Sequence, residues 1–192
     1  MFTLEQGAKL ARLAMHAIET ILFNRPLALE PFKVFSQKSG VYVTLRKNGK
    51  LRGQMGTVET KDELYQAVLK AARDAAFNDK RFDPVSREEF DEIEIEVAVL
   101  TDSRLLRVSR PEEYFSQIHV GTDGLMIKSG VYHAVLLPSA DMTYGWYPEK
   151  LLRYLCESAG LTMDAWRDLS QDIYVFQCQI FADKNGKVAE VI

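Results

Sequence analysis

Residue types suited to chemistry are concentrated in the short segment Leu51–Thr57. It contains Arg52, Gly53, Gln54, Gly56 and Thr57. The arginine offers a planar fork of donors that matches a carboxylate or a phosphate, and the two glycines would let the backbone approach a bound group closely. The glutamine and threonine side chains would add hydrogen bonds. The pattern predicts an anion-binding site; the alternative is that the glycines relieve crowding or form a bulge, and that the arginine pairs with a nearby acid.

Charged residues elsewhere in the chain are candidates for the same site. The additional cations are Arg46 and Arg81, and the candidate orienting acids are Glu94, Glu96 and Asp79. One of the two glutamates would face an arginine of the first hairpin across neighbouring strands. The alternative for this alternating row of glutamates is a solvated sheet face.

The direction of Arg52 depends on the register of a hairpin that turns at Asn48-Gly49. A two-residue turn there would place Arg52 opposite Leu45, on the apolar side. A three-residue loop, Lys47–Gly49, shifts the pairing and moves the arginine to the polar face. That face would consist of Tyr42, Thr44, Arg46, Lys50, Arg52 and Gln54. Because burying an unpaired guanidinium costs several kcal/mol, we predict the three-residue loop.

Other catalytic residue types form weaker patterns. His133, Ser139 and Asp141 are the types found in a triad, but triads are defined by geometry, and no nucleophile-elbow motif surrounds the serine. His16, His119 and His133 have no metal-ligand spacing, so we predict no metal site. The sequence identifies no cofactor and no catalytic residue.

Composition limits the classes of protein to which the chain can belong. Its 192 residues are 47% hydrophobic and 27% charged, an ordinary globular mixture. The net charge of −3 argues against nucleic-acid binding, since proteins with that function are usually basic. No apolar run approaches the ~18 residues of a membrane span, and the first residues are not those of a signal peptide. With Cys156 and Cys178 as its cysteines, both expected to be buried, the chain is predicted to be cytoplasmic.

Element patterns predict an α+β fold. Helices are expected after the capping boxes at Thr3–Gln6 and Thr60–Glu63 and from Pro148, with a third box at Ser86–Glu89 and hairpins at Asn48-Gly49 and Ser129-Gly130. The buried stripe predicted for the first helix is Leu4, Ala8, Ala11, Met15, Ile18 and Leu22, and the inner side predicted for the helix from Pro148 is Leu151, Leu152, Leu155 and Ala159. Strands interrupted by single helices favour a mixed or antiparallel sheet flanked by helices, with a larger and a smaller lobe as one form of it. We expect one domain over residues 1–192, ending in a short tail from Asp183.

Four segments together resemble the AMMECR domain family. They are Leu51–Thr57, which resembles that family's Leu-Arg-Gly-Cys-Ile-Gly-Thr signature, then Ala75–Phe82, Ile95–Thr101 and the stretch from Leu137-Pro138 through Leu155–Leu161 to Trp166. The resemblance covers about residues 4–181 in consistent order. It implies protein A of the AmmeMemoRadiSam grouping, whose companions are a Memo-type protein and a radical-SAM enzyme.

The chain departs from this signature at Gln54, where the family has cysteine. An amide is neither a thiolate nucleophile nor a soft metal ligand. Two hypotheses follow. In one, the Leu51–Thr57 hairpin segment binds an anionic small molecule, as a binder or an enzyme. In the other, it is a docking surface for a protein partner, with Memo-type and radical-SAM proteins as the partners that the resemblance implies.

Overall fold

The computed structural model describes residues 1–138, 145–184 and 186–191. The chain divides into two compact units. The first contains residues 1–100 and 179–191, and the second contains residues 101–178. Ser139 and Asp141, two of the three triad-type residues, lie outside the described residues.

The first unit is built on a five-stranded sheet. In chain order its elements are α1 (Leu4–Phe23), β1 (Val41–Lys47), β2 (Lys50–Thr57), α2 (Leu64–Phe77), β3 (Ile93–Leu100), β8 (Cys178–Lys184) and β9 (Lys187–Glu190), with short 3-10 turns at Glu30–Phe32 and Phe90–Glu92. The strand order is β2-β1-β3-β8-β9, so β2 is an edge strand. The pairs β1–β2, β1–β3 and β8–β9 are antiparallel.

Both helices of this unit start at capping boxes. Thr3 accepts a hydrogen bond from the Gln6 N–H while the Gln6 side chain accepts one from Thr3 N–H, as predicted. For α2 the predicted box at Thr60–Glu63 is displaced, because Glu63 itself is the N-cap and Gln66 closes the box. The core of the unit joins both helices to Val43, Leu45 and their neighbours in the sheet.

The buried side of α1 differs in part from the predicted stripe. Ala11, Ile18 and Leu22 are buried as expected, whereas Leu4 is half exposed. Gly7 packs against the Phe181 ring of β8, where a Cβ would come within 2.1 Å of a ring carbon. Tertiary contact therefore rotates the buried face relative to the face that helical spacing favours.

The second unit has its own sheet and core. Its elements are β4 (Arg104–Leu105), β5 (Gly124–Ser129), β6 (Tyr132–Leu136), α3 (Pro148–Ser158) and β7 (Asp172–Phe176), with 3-10 turns at Pro111–Ser116 and Ala165–Arg167. The strands lie in the order β4-β7-β5-β6 with antiparallel pairing. Leu151, Leu152 and Leu155 of α3 pack with the fully buried Trp166, so the predicted inner side of α3 is confirmed. In the described part of the chain, no helix is both long and apolar enough to cross a bilayer.

The α+β prediction is confirmed by these two sheets and their helices. The end of the chain differs from expectation. From Asp183 onward we predicted a tail, but β8 runs on to Lys184 and pairs with β9. The turn between them places Gly186 at φ 79°, and the Asp183 carboxylate accepts the Gly186 N–H.

Candidate functional site

The β1–β2 hairpin turns through two residues, not three. Asn48 and Gly49 both have positive φ, 53° and 73°, as a type I′ turn requires, and Lys47 pairs directly with Lys50. The predicted three-residue loop was therefore wrong. Asn-Gly at the centre of the turn adopts the left-handed conformation at little cost, so local turn chemistry decides the loop length.

A β-bulge in β2 then shifts the pairing by one residue and so exchanges the faces on which the following side chains lie. Arg46 is opposite Leu51 but Leu45 is opposite Gly53, which leaves Arg52 as the extra residue of β2. Beyond the bulge Gln54 lies opposite Thr44 and therefore on the face predicted for it. Leu51, which was predicted to lie on the apolar face, is exposed. A single inserted residue thus restores the apolar side of the strand without a three-residue loop.

The bulge directs Arg52 to an acid that lies 37 positions further along the chain. Its Nη2 donates to Glu89 Oε1 at 2.6 Å and its Nε to Oε2 at 3.1 Å. Lys47 lies 3.5 Å from the same carboxylate, and the Ser86 backbone N–H donates to it. The hydrogen bond from Arg52 is the main cause that lowers the pKa of Glu89 below its ordinary value. The arginine side chain is only 16% exposed, so Glu89 supplies the counter-charge that its burial requires.

One nitrogen of this guanidinium has no partner. Among the described residues, nothing accepts a hydrogen bond from Arg52 Nη1, although the atom is buried. An unmade hydrogen bond at a buried donor costs about 1–3 kcal/mol. Glu89 thus fixes Arg52 through Nε and Nη2, and Nη1 remains as a donor without an acceptor among the described residues.

The loop that follows α2 caps the outer edge of β2. Asp79 accepts the Gln54 N–H at 2.9 Å, and Arg81 Nη2 donates to the Gln54 carbonyl at 3.2 Å. The same arginine binds both oxygens of Asp79, at 2.9 Å and 2.7 Å. These bonds, the Arg81 side chain first among them, hold the pKa of the buried Asp79 at about 2. The predicted approach of Asp79 and Arg81 to the Leu51–Thr57 segment therefore takes place through backbone groups.

Gly53 and Gly56 have close neighbours within the protein. A Cβ on Gly53 would lie 2.1 Å from the Ala75 carbonyl oxygen of α2, and one on Gly56 would lie 2.2 Å from the Val41 carbonyl oxygen. The space beside each glycine is occupied by backbone. In this structure both residues permit close packing of main chains, which is the alternative recognised from the sequence.

The remaining predicted residues occupy separate positions. Arg46 binds Glu96 at 2.7 Å, one of the pairings expected across neighbouring strands, while Glu94 lies 3.1 Å from Lys184. The Gln54 amide donates to Thr44, a residue of the next strand that is only 3% exposed. The Thr57 hydroxyl donates to a backbone carbonyl two residues on. Arg46 and Arg52 are therefore not brought together on one polar face.

A shallow depression of about 430 Å³ lies beside the Arg52 end of the hairpin. Its lining consists of Arg52, Lys80, Arg81, Phe82 and Asp83. The Phe82 ring lies beneath both guanidiniums, with Cζ of Arg52 at 6.0 Å and Cζ of Arg81 at 5.6 Å from its centroid. Lys80 is exposed, and no ion pair of its ammonium is found within the described ranges.

Sequence reasoning missed three of the residues that build this region. Glu89 supplies the counter-charge for the largely buried Arg52, and Lys80 and Phe82 line the depression. Glu89 was noted only as the end of a capping box, and its bond from the Ser86 N–H is half of that box. Phe82 is half-buried beneath two cations, a position that its apolar side chain alone does not indicate. No group of three or more metal-ligand side chains occurs among the residues that the structure describes.

The fold and this arginine-bearing hairpin agree with one known family. The AMMECR1 sequence profile matches residues 11–181, and the chain belongs to the AMMECR1 family. Protein MJ0810 of Methanocaldococcus jannaschii is 40% identical over 195 aligned positions, which cover 99% of this chain and 97% of that protein. A protein of Methanothermobacter thermautotrophicus is 42% identical, over 92% of this chain and 94% of its own.

A solved structure supports the same conclusion. The crystal structure of the uncharacterised protein PH0010 from Pyrococcus horikoshii matches with a TM-score of 0.89 at 36% identity. The match covers 97% of this chain and 96% of that chain. The names of these relatives state no activity, so the relatives define family and fold alone.

Proposed function

We propose that this protein binds a small anionic molecule in the depression lined by Arg52, Lys80, Arg81, Phe82 and Asp83. The observation that carries the proposal is the presence of three cationic side chains in one lining, two of them over the Phe82 ring, with a single carboxylate beside them. Guanidinium and ammonium groups that meet at a surface concavity suit a carboxylate or a phosphate.

The two arginines are prepared for this role by their protein partners. Glu89 holds Arg52, and Asp79 holds Arg81, each through two hydrogen bonds. A guanidinium that is already ordered loses little side-chain entropy when a ligand arrives. Lys80 contributes a mobile charge at the rim, and Arg52 Nη1 would gain an acceptor after a small shift of the side chains that cover it.

Binding is favoured over catalysis by the chemistry of the lining. Its lining has no thiol, hydroxyl or imidazole, and Gln54 occupies the position where the family pattern has a thiol. Asp79, the nearest buried carboxylate, has a pKa of about 2 and is a weak base near neutrality.

A docking surface for a protein partner is less well supported. Exposed aromatic side chains on the hairpin, such as Tyr42, would favour that hypothesis. Tyr42 is instead half-buried, and burial raises its pKa to about 12.

The test is native mass spectrometry of the purified protein after incubation with a small-molecule cell extract. Lys80→Gln removes a rim charge from an exposed position, so the fold should persist. Lys61→Gln is the matched control, since Lys61 is also exposed and does not line the depression. We expect a discrete adduct that Lys80→Gln weakens several-fold and Lys61→Gln leaves unchanged.

Phenyl phosphate provides a defined probe of the same site. Amide chemical shifts at residues 80–83 should move on titration, and the effect should weaken as sodium chloride is raised. Shifts confined to other residues, or equal weakening by both lysine variants, would show that the ligand site lies elsewhere.

A further inference from the structure

A groove on the first unit lies between α1 and the chain that returns alongside it. Helix α1 ends at Phe23, and Asn24 takes a left-handed conformation, φ 53°, that turns the chain. Lys9, Arg12 and His16 form one wall at helical spacing, and Arg25, Leu27 and Phe32 are among the residues of the other. The enclosed volume is about 420 Å³, within the roughly 300–1,000 Å³ typical of small-molecule sites.

The charge of this groove contrasts with that of the whole chain. Its lining contains the cations Lys9, Arg12 and Arg25, the titratable His16 and one carboxylate, Glu19. The chain as a whole has a net charge of −3. The groove therefore concentrates positive charge on an acidic protein, which raises the local concentration of anions.

Arg12 is the cation most available to a ligand. Lys9 is paired with Glu5 at 2.9 Å, and Glu19 lies 3.6 Å from Arg25 and 3.9 Å from His16. Arg12 is exposed, and within the described residues it makes no ion pair. Its guanidinium thus retains a planar set of donors that faces the groove and suits a phosphate or carboxylate head.

Apart from Arg25, the opposite wall is apolar. Pro26, Leu27, Ala28, Pro31 and Phe32 line it. Phe32 is buried, and Leu27 packs against the core of the unit, so this wall is anchored. A ligand with a short alkyl or aryl body would cover apolar surface here while its charged head meets Arg12.

We propose that this groove is a second, independent site for a small amphipathic anion, with a phosphate or carboxylate head at Arg12 and an apolar body against Leu27 and Phe32. It does not depend on the Arg52 depression, because the two sites share no lining residue. The occupant is a free small molecule, since the groove has room for one head and one short body.

The experiment compares hexyl phosphate with inorganic phosphate and with hexanol by calorimetry and amide chemical shifts. Hexyl phosphate should bind at least tenfold more tightly than either fragment, because only it fills both halves of the groove. The shifts should map to residues 9–32. Equal affinity of hexyl phosphate and inorganic phosphate would overturn the amphipathic character, and shifts at other residues would overturn the site.

Two exposed substitutions test the geometry without disturbing the core. Arg12→Gln should weaken hexyl phosphate about tenfold, and Ala28→Glu should abolish binding by placing a carboxylate in the groove. Arg73→Gln, an exposed arginine on α2 outside the groove lining, is the matched control and should bind normally. Lys80→Gln should also bind normally, which separates this proposal from the first one. Unchanged affinity in Arg12→Gln with the same thermal midpoint would refute the proposal.

Sedimentation with lipid vesicles distinguishes a free small-molecule ligand from a lipid headgroup. The protein should remain in the supernatant when phosphatidylglycerol vesicles are sedimented. Co-sedimentation that Arg12→Gln abolishes would contradict the assignment to a free small molecule and would assign the groove to membrane lipid.

Discussion

At the scale of single residues, Asp79 and Glu89 organise the candidate site. Asp79 bonds the Arg81 side chain and the Gln54 N–H, and Glu89 bonds Arg52, lies close to Lys47 and accepts the Ser86 N–H. Neither carboxylate lines the depression, yet each fixes the orientation of a guanidinium that does. The charges that would meet a ligand are thus positioned by acids behind them.

Asp79 gives the protein a specific acid sensitivity. Its pKa is about 2 in the folded state against an ordinary 3.8, so the folded state favours the charged form. The associated stability is fully present above the unfolded value of 3.8 and is lost as pH falls through about 2. It amounts to at most about 2–3 kcal/mol, from 1.4 kcal/mol per pKa unit.

Asp79→Asn should therefore flatten the loss of stability between pH 3.8 and about 2. Urea unfolding midpoints across that range, measured for both proteins, provide the check. If the urea midpoint of the variant falls with pH as steeply as that of the unmodified protein, the acid sensitivity belongs to other groups.

Glu89 compensates a largely buried charge, so its removal should be costly. Glu89→Gln leaves Arg52 without a counter-charge, and we expect a loss of about 3 kcal/mol of unfolding free energy. Glu88→Gln is the same change at the neighbouring exposed residue and should cost less than about 0.5 kcal/mol. Denaturant titration of the two variants measures the difference, and equal midpoints would show that the Arg52–Glu89 pair contributes nothing.

At the scale of elements, α2 lies unusually close to the edge strand β2. The absent side chain of Gly53 makes room for the Ala75 carbonyl, and the loop after α2 covers the outer backbone of Gln54. An open edge strand invites pairing with another chain. This loop therefore both blocks the edge at Gln54 and supplies Lys80, Arg81 and Phe82 to the depression.

Gly53→Ala tests this packing. The new methyl group would meet backbone, which cannot rotate away, so we expect a loss of about 3 kcal/mol and a weaker phenyl phosphate interaction. Gly49→Asn is the control, because nothing lies within 4 Å of its Cβ position and asparagine tolerates its positive φ. Thermal melts compare the two, and a stable Gly53→Ala protein would show that α2 moves freely on β2.

At the scale of the whole molecule, the first unit includes a C-terminal segment that follows the second unit in the chain. Residues 179–191 belong with residues 1–100, and strand β8 starts at Cys178, in the second unit. The family profile likewise extends across both units. We therefore predict that the two units unfold in one transition.

Leu152→Ala, in the core of the second unit, tests this cooperativity. It should cost about 2–5 kcal/mol and shift a single calorimetric peak to lower temperature. Leu169→Ala, at an exposed position of the same unit, should leave the peak in place. Two separate peaks, with the upper one unshifted in Leu152→Ala, would show that the units melt independently.

The sequence by itself determined the features that local rules control. The capping box at Thr3–Gln6, the proline that starts α3 and the Asn48-Gly49 turn are decided within a few residues, because backbone hydrogen bonds and φ preferences act over that range. The α+β class and the family followed from such elements and from motifs read in order. The prediction of a three-residue hairpin loop was wrong because it counted the cost of burying Arg52 without the compensating charge of Glu89.

Only the tertiary structure decided what Arg52 meets. Glu89 lies 37 positions away, and the glycine beside Arg52 signals a bulge without indicating which acid the arginine will meet. The same holds for the Ala75 carbonyl that fills the space at Gly53 and for the ring that lies beneath two guanidiniums. Pairings of this kind depend on how helix, loop and sheet pack together, since the energy that selects them comes from burial and counter-charge rather than from neighbouring residues in the chain.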